Sequence, residues 1–261
     1  MSLTSVPASA AATTVRAAAT WRAARALGGE PRTARVVADG PLAVYVEDEG
    51  RCVAVLAADA VHVPMGLRTP LDRVPAHDGV LHLGAGRVAL GDVEVRLGRV
   101  VDLGVPPLPG LGAVASGLAD GTDAARLELP GAVLAGLAEG DPDVVALLLG
   151  RGTGLTPTGD DVLAGWLVAR RAAGLESCAV AQRVRDLAVR RTTFVSAAML
   201  SHALDGEATP ALRTWLVRLA AAPEHPDEAA RAALLAVGHT SGAGLALGVA
   251  LALTPQTWRH P

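Results

Sequence analysis

Asp160 and Asp161 follow a run in which Gly150, Gly152, Gly154 and Gly159 are interspersed with Thr153, Thr156 and Thr158. The run joins two apolar, helix-patterned stretches. A helix–helix connection needs one or two glycines; four let backbone N–H groups approach a ligand closely and lead into a helix N-terminus carrying about half a positive charge. Gly152, Thr153, Gly154, Thr156, Thr158 and Gly159 are therefore expected to bind an anion or a carbonyl. The paired carboxylates can cap the helix, hold a divalent cation such as Mg²⁺, or accept a proton or an N–H from a substrate amide. A capped turn alone accounts for the aspartates but not for the density of Gly and Thr. The glycine spacing fails G-x-G-x-x-G and no strand precedes it, which argues against a dinucleotide site.

A second polar cluster, Gly238-His239-Thr240-Ser241-Gly242, opens the last helical run, with Thr240 or Ser241 at its N-cap. His239 is of the residue type that suits acid–base work near neutral pH. Ser241 directly abuts Gly242, so the G-x-S-x-G nucleophile elbow is absent. The third cluster, Thr192, Thr193 and Ser196, lies in a helical pattern read as continuous over 177–204; spacing of four would put Thr192 and Ser196 on one face, where hydroxyls line a site or bond their own backbone. Arg170-Arg171 reads as a helix C-terminal charge pair, and Arg183 with Arg185 as a solvated face. His202, Asp205 and Glu207 lack H-E-x-x-H or comparable metal spacing.

These clusters need elements to hold them. Residues 9–27, rich in Ala and Arg, predict a helix. From Arg35 to about Val105 short β-branched runs closed by Asp, Gly or Pro predict an antiparallel sheet or small barrel. Pro106-Pro107-Leu108-Pro109-Gly110 punctuates the chain most strongly, and helical patterns follow at about 130–138, 142–149, 160–173, 177–204, 210–221, 227–237 and 241–253. The expected fold class is α+β: an N-terminal domain over 1–110 with a helix and antiparallel β structure, and an α-helical domain over 111–261 carrying both Gly-rich segments. No repeat of 20–50 residues is present.

Composition narrows the chemistry. The 261 residues are 51% hydrophobic but only 2% aromatic, so the core is aliphatic. All 23 basic residues are arginine, which excludes a Schiff-base lysine and the phosphate-binding lysine of a P-loop. A net charge of −3 gives no nucleic-acid footprint. Cys52 and Cys178, far apart and outside any C-x-x-C, suit buried or reduced thiols and a cytoplasmic protein. Arg16, Trp21, Arg22 and Arg25 interrupt any signal-peptide core, and Gly242 to Leu253 falls short of the ~18 apolar residues that span a bilayer, so no membrane partner is expected.

On the residues Gly152-Thr153-Gly154-Leu155-Thr156-Pro157-Thr158-Gly159-Asp160-Asp161, Thr192-Thr193 with Ser196, and Gly238 to Gly242, the chain resembles a bacterial family first described as a domain of unknown function and related to the AllH-like subunit of oxamate carbamoyltransferase. Its pattern is G-x-G-L-T-P-[ST]-G-D-D, then T-T-x-x-S, then G-H-T-S-G. The first motif is specific and the second weak, and the likeness is firm over about 140–250. The resemblance implies carbamoyl transfer between oxamate and phosphate, forming carbamoyl phosphate at the end of purine-ureide breakdown, together with two other subunits. The S-T-R-T-R signature of aspartate and ornithine carbamoyltransferases is absent. On this reading the glycine loop binds an anion or carbonyl, Asp160 and Asp161 orient an amide or a cation, and His239, Thr240 and Ser241 donate hydrogen bonds or a proton beside Gly242. The rival reading is a non-catalytic subunit or small-ligand sensor using the same pocket. Either requires the backbone near Thr158 and the side chains of His239 and Ser241 to lie within about 10 Å of one another, the span of a small ligand with its bridging waters.

Overall fold

The computed structural model of the chain describes residues 12–113 and 118–253. It divides into two compact units, one running to Ala60 and resuming over Met65–Asp102, the other comprising Val61–Pro64 and the residues from Leu103 onward.

The first unit is a closed barrel of eight strands: β1 (Thr13–Thr20), β2 (Arg32–Asp39), β3 (Ala43–Asp48), β4 (Arg51–Leu56), β5 (Gly66–Arg68), β6 (Val80–Gly84), β7 (Arg87–Leu90) and β8 (Val93–Val101). The order around the barrel is β1-β5-β4-β3-β2-β6-β7-β8. A barrel of this size leaves an interior that side chains just fill, and here Val44, Val46, Val53, Val55, Leu67, Leu81, Leu83, Val88 and Val95 fill it. The α+β class stands, but the expectation of an antiparallel sheet is corrected: β1 runs parallel to β8, and β4 parallel to β5. Alternating burial reports which face a residue occupies and is blind to strand direction. Direction follows from connections, and the excursion through residues 57–65 returns β5 alongside β4 instead of folding it back.

The expected helix over 9–27 is also overturned. Residues 9–11 lie outside the described residues, Thr13–Thr20 is β1, and only Trp21–Arg25 is helical (α1). Helix propensity of alanine is a weak preference that sheet pairing overrides: Ala17 and Ala19 point into the barrel core, paired to β5 and β8. The Thr20 hydroxyl accepts from the Ala23 N–H at 3.1 Å and starts α1.

The second unit is helical: α2 (Asp123–Glu128), α3 (Gly131–Glu139), α4 (Val145–Leu148), α5 (Thr158–Ala172), α6 (Cys178–Arg191), α7 (Phe194–Leu204), α8 (Pro210–Ala221), α9 (Glu228–Leu235) and α10 (Ser241–Leu253). The single helix expected over 177–204 is two helices. Thr192 is fully extended at φ −137° and ψ −176°, and the Thr193 hydroxyl caps α7 by accepting from the Ser196 N–H at 3.0 Å. Threonine trades helical geometry for such local bonds readily. Among the described residues no helix is long and apolar enough to cross a membrane.

At the centre α5 and α10 are buried along nearly their whole length, α10 apolar after Ser241 and α5 apolar between Asp161 and Arg170, as helices inside a core must be. Their backbones touch. A Cβ on Gly248 would stand 2.1 Å from the Val162 carbonyl oxygen, and one on Gly165 2.2 Å from that of Leu245. Glycine inside a helix costs roughly 0.5–1 kcal/mol, a cost set here against packing that no larger residue permits. Gly248→Ala is therefore expected to destabilise the protein by about 1–3 kcal/mol in urea unfolding. Gly131→Ala, where an added Cβ meets nothing within 4 Å, should be neutral or stabilising by up to about 1 kcal/mol; equal losses at both positions would contradict the crossing.

Candidate functional site

The helical unit brings the Gly-rich run, the hydroxyl cluster after α6 and the start of α10 together, and Asp160 and Asp161 divide the work. Asp160, in the first turn of α5, is buried and surrounded by donors: the Gly150 N–H reaches Oδ1 at 2.9 Å, and Oδ2 accepts from the Ser196 hydroxyl at 2.7 Å and from the Thr192 hydroxyl. Thr192 and Ser196 thus meet at one carboxylate, although the helix break removes the shared face that their spacing predicted. Burial raises the Asp160 pKa, opposed by its bonds from Thr192, Ser196 and the Gly150 N–H. Both oxygens are committed, so Asp160 ties the Gly-rich run to the α6–α7 junction. A further tie is the Thr193 hydroxyl, which donates to the Leu155 carbonyl at 2.6 Å.

Asp161 lies at the α5–α10 contact, where a Cβ on Gly244 would stand 2.8 Å from its own Cβ. Its Oδ2 is buried and has no hydrogen-bond partner. Burial drives the carboxyl up to about 8, the hydroxyl of Ser241 pulls it down, the Asp160 charge adds to the rise, and Thr156 opposes it. Thr156 and Ser241 share a hydroxyl–hydroxyl bond of 3.0 Å. The result is a carboxylic acid that stays protonated near neutral pH, flanked by hydroxyls from the loop and from α10.

A parallel arrangement lies beside it. The buried Thr158 hydroxyl donates to Glu128 Oε2 at 2.6 Å and lies 3.4 Å from the Thr240 Oγ1. Gly152, at φ +109°, covers this pair: a Cβ there would stand 2.7 Å from the Thr158 nitrogen and 2.9 Å from Glu128 Oε2, so both the conformation and the close approach require glycine. Glu128 escaped the sequence reading because α2 is too short to show a helical period, leaving only an acid ahead of Leu129-Pro130 as a signal.

The remaining expected residues are placed differently. Gly159 is buried, with its N–H donating to the Arg151 carbonyl at 2.8 Å, and the Gly242 N–H donates to the Val237 carbonyl at 2.9 Å. The Gly159 and Gly242 N–H groups are therefore taken up within the fold, and hydroxyls and carboxyls meet at the two helix starts. Thr153, Gly154 and His239 are exposed, and none makes a side-chain hydrogen bond to a described residue. His202 pairs instead with Glu207, outside this cluster. Among the described residues no group of three or more His, Cys, Asp and Glu side chains is arranged to hold a metal.

A buried acid bracketed by hydroxyls thus lies at the crossing of two helices. Residues 148–253, which include every residue of this cluster except Glu128, match the family described as oxamate carbamoyltransferase subunit AllH. The AllH resemblance carried by the motifs is thereby shown over that span. No curated protein and no solved structure matches the chain.

The Asp161 environment predicts a pH signature. An unfolded Asp ionises near 3.9, whereas the folded group does so at about 8, so between these values the folded state holds the extra proton and stability falls as pH rises. Asp161→Asn keeps the shape of the neutral acid and removes the titration. Wild type is expected to lose on the order of 2–4 kcal/mol relative to this variant between about pH 5 and pH 8 in urea unfolding; parallel profiles would show that Asp161 is ionised in the folded protein.

Proposed function

We propose that this chain is a subunit of a carbamoyltransferase of the oxamate type and that the pocket around Asp161 handles the carbamoyl group and the amide it leaves. The carrying observation is the buried Asp161 oxygen without a partner, beside the hydroxyls of Thr156 and Ser241, in the segment that matches the AllH family. In the transfer, a phosphate oxygen bonds to the carbamoyl carbon as the bond from that carbon to the oxamate nitrogen breaks. The departing nitrogen needs a proton, and hydrogen phosphate loses one. A carboxyl protonated near neutral pH can give the first and recover the second, and a value close to ambient pH suits both halves of the exchange. Thr156 and Ser241 would donate to the carbamoyl oxygen as charge develops on it. Thr158, Thr240 and Glu128 would orient the amide, and the exposed Gly152 to Gly154 segment and His239 would meet the ligand from the rim.

The same reading places the chain among other carbamoyltransferase subunits in the cytoplasm, in nitrogen recovery from purine ureides. A cation such as Mg²⁺ at Asp161 is not needed for the proton exchange described. A second reading, a non-catalytic subunit that binds the amide or anion for its partners, is favoured by the commitment of both Asp160 oxygens to donors.

The test is carbamoyl phosphate formation by the chain alone and then with the subunits encoded beside it. Little turnover is expected from the isolated chain and full turnover from the complex. In the complex Asp161→Asn should lower kcat by about 10²–10⁴-fold, the usual span for loss of acid–base catalysis, with folding intact. Full turnover by the isolated chain would overturn the subunit reading, and an active Asp161→Asn complex with weakened oxamate binding by calorimetry would select the non-catalytic one.

A further inference from the structure

A different chemistry lies on the outer wall of the barrel. Strand β8 bulges opposite the Ala17–Ala18 step of β1: Ala17 pairs with Leu97 and Ala18 with Arg99, leaving Gly98 as the extra residue on β8. On its other side Ala18 pairs with Arg68 of β5. Side chains two apart on a strand share a face, so Arg16 joins Arg68 and Arg99 around the small Ala18. Gly98 leaves room for Arg16 to lie across the bulge, since a Cβ there would come within 2.9 Å of the Arg16 Cβ. These residues, with Ala58, Thr69 and Pro70, line an open cleft of about 450 Å³.

Four arginines of the barrel strands are held by acids. Arg87 and Arg96 both pair with Glu94, and Arg32 and Arg51 both pair with Asp48. Arg16, Arg68 and Arg99 make no ion pair with any described carboxylate. The Arg68 guanidinium is held in place by bonds from Nε and Nη2 to the Ala58 carbonyl at 3.2 and 2.7 Å, and Arg16 reaches the Leu97 carbonyl at 3.5 Å. Like charges facing one another across neighbouring strands destabilise a sheet, so this grouping costs stability unless something negative occupies the cleft.

We infer that the cleft formed by Arg16, Arg68 and Arg99 is an anion site, separate from the Asp161 pocket, that takes a phosphate group. Guanidinium forks match the oxygens of phosphate, and three arginines lining one cleft from neighbouring strands suit a tetrahedral, multiply charged oxyanion better than a single carboxylate. The cleft has the volume of a small-ligand site, typically about 300–1,000 Å³, which favours a free phosphate or a phosphate ester over an acidic segment of another protein.

The test uses the full chain, titrated with inorganic phosphate, with glycerol 3-phosphate and with an oligoglutamate peptide, at constant ionic strength set by sodium chloride, and followed by calorimetry and thermal unfolding. Phosphate, the ester or both should bind and raise Tm, the stronger arm identifying the source. Arg16→Gln with Arg99→Gln should weaken that binding at least tenfold, whereas Arg183→Gln, an exposed arginine of α6, should leave it unchanged. In chloride alone Arg99→Gln should be at least as stable as wild type, because it relieves repulsion; a purely structural arginine would show the reverse. The inference fails if the double variant binds phosphate as wild type does, if only the peptide binds, or if binding is lost in Ser241→Ala instead. That last result would assign phosphate to the helical unit and leave the carbamoyltransferase reading standing.

Discussion

The contact between the backbones of α5 and α10 governs the helical unit. Gly165 and Gly248 leave carbonyl oxygens of the opposing helix where side chains would otherwise stand. With both axes so close, the first turns of the two helices are adjacent, and the polar groups there are drawn out of water together, Thr158, Asp160 and Asp161 fully and Thr240 and Ser241 in part. That is why Thr156 and Thr158 from one entry loop meet Ser241 and Thr240 from the other. It is also why Asp161 is protonated at neutral pH: a carboxylate deprived of water costs more than a carboxylic acid. The apolar remainder of both helices, buried almost end to end, supplies the stability against which a partnerless acid oxygen can be held.

Two neighbouring aspartates with equal claims in the sequence end in opposite circumstances because consecutive helix positions point about 100° apart. Asp160 turns towards the α6–α7 junction and collects two hydroxyls and an N–H. Asp161 turns towards α10 and lies against Gly244. The satisfied carboxylate fixes the loop, and the other keeps a buried oxygen without a hydrogen-bond partner. Arginine does not relieve it: Arg151, at the edge of the loop, directs its Nε to the Glu128 carbonyl at 3.3 Å, and the groups that set the Asp161 pKa are the neighbouring acid and two hydroxyls.

What was legible in the sequence follows the range of the interactions involved. Helices with strong apolar patterning, α8 and α10 among them, lie where their periodicity placed them. The meeting of the Gly-rich run with the start of α10 was readable as two polar helix starts in an otherwise apolar chain. The break at Thr192-Thr193 is local and had its signal in two adjacent β-branched hydroxyl residues, yet the flanking helical pattern hid it. β1 was hidden more thoroughly, because its alanines favour a helix in isolation and become strand only when β5 and β8 flank them. The direction of β5 and the arrival of Glu128 at Thr158 depend on contacts distant in sequence, and no local pattern encodes them.

The absence of lysine gives the barrel and the helical unit opposite electrostatic strategies. In the helical unit the critical acids are buried without a cation, and their charge is managed by hydroxyls and by protonation. On the barrel, charge is managed by sharing: Asp48 is held well below the usual carboxylate range by its bond to Arg32, with Arg51 contributing, so one acid holds two arginines, the second of which also pairs with Glu49. An arginine cannot shed its proton to escape repulsion as a lysine can. A grouping such as Arg16, Arg68 and Arg99, beyond what water and salt screen, lowers its energy by turning its guanidiniums apart or by gathering an anion. Arg68 is already anchored to the Ala58 carbonyl, which limits the first and leaves the second as the path of least cost.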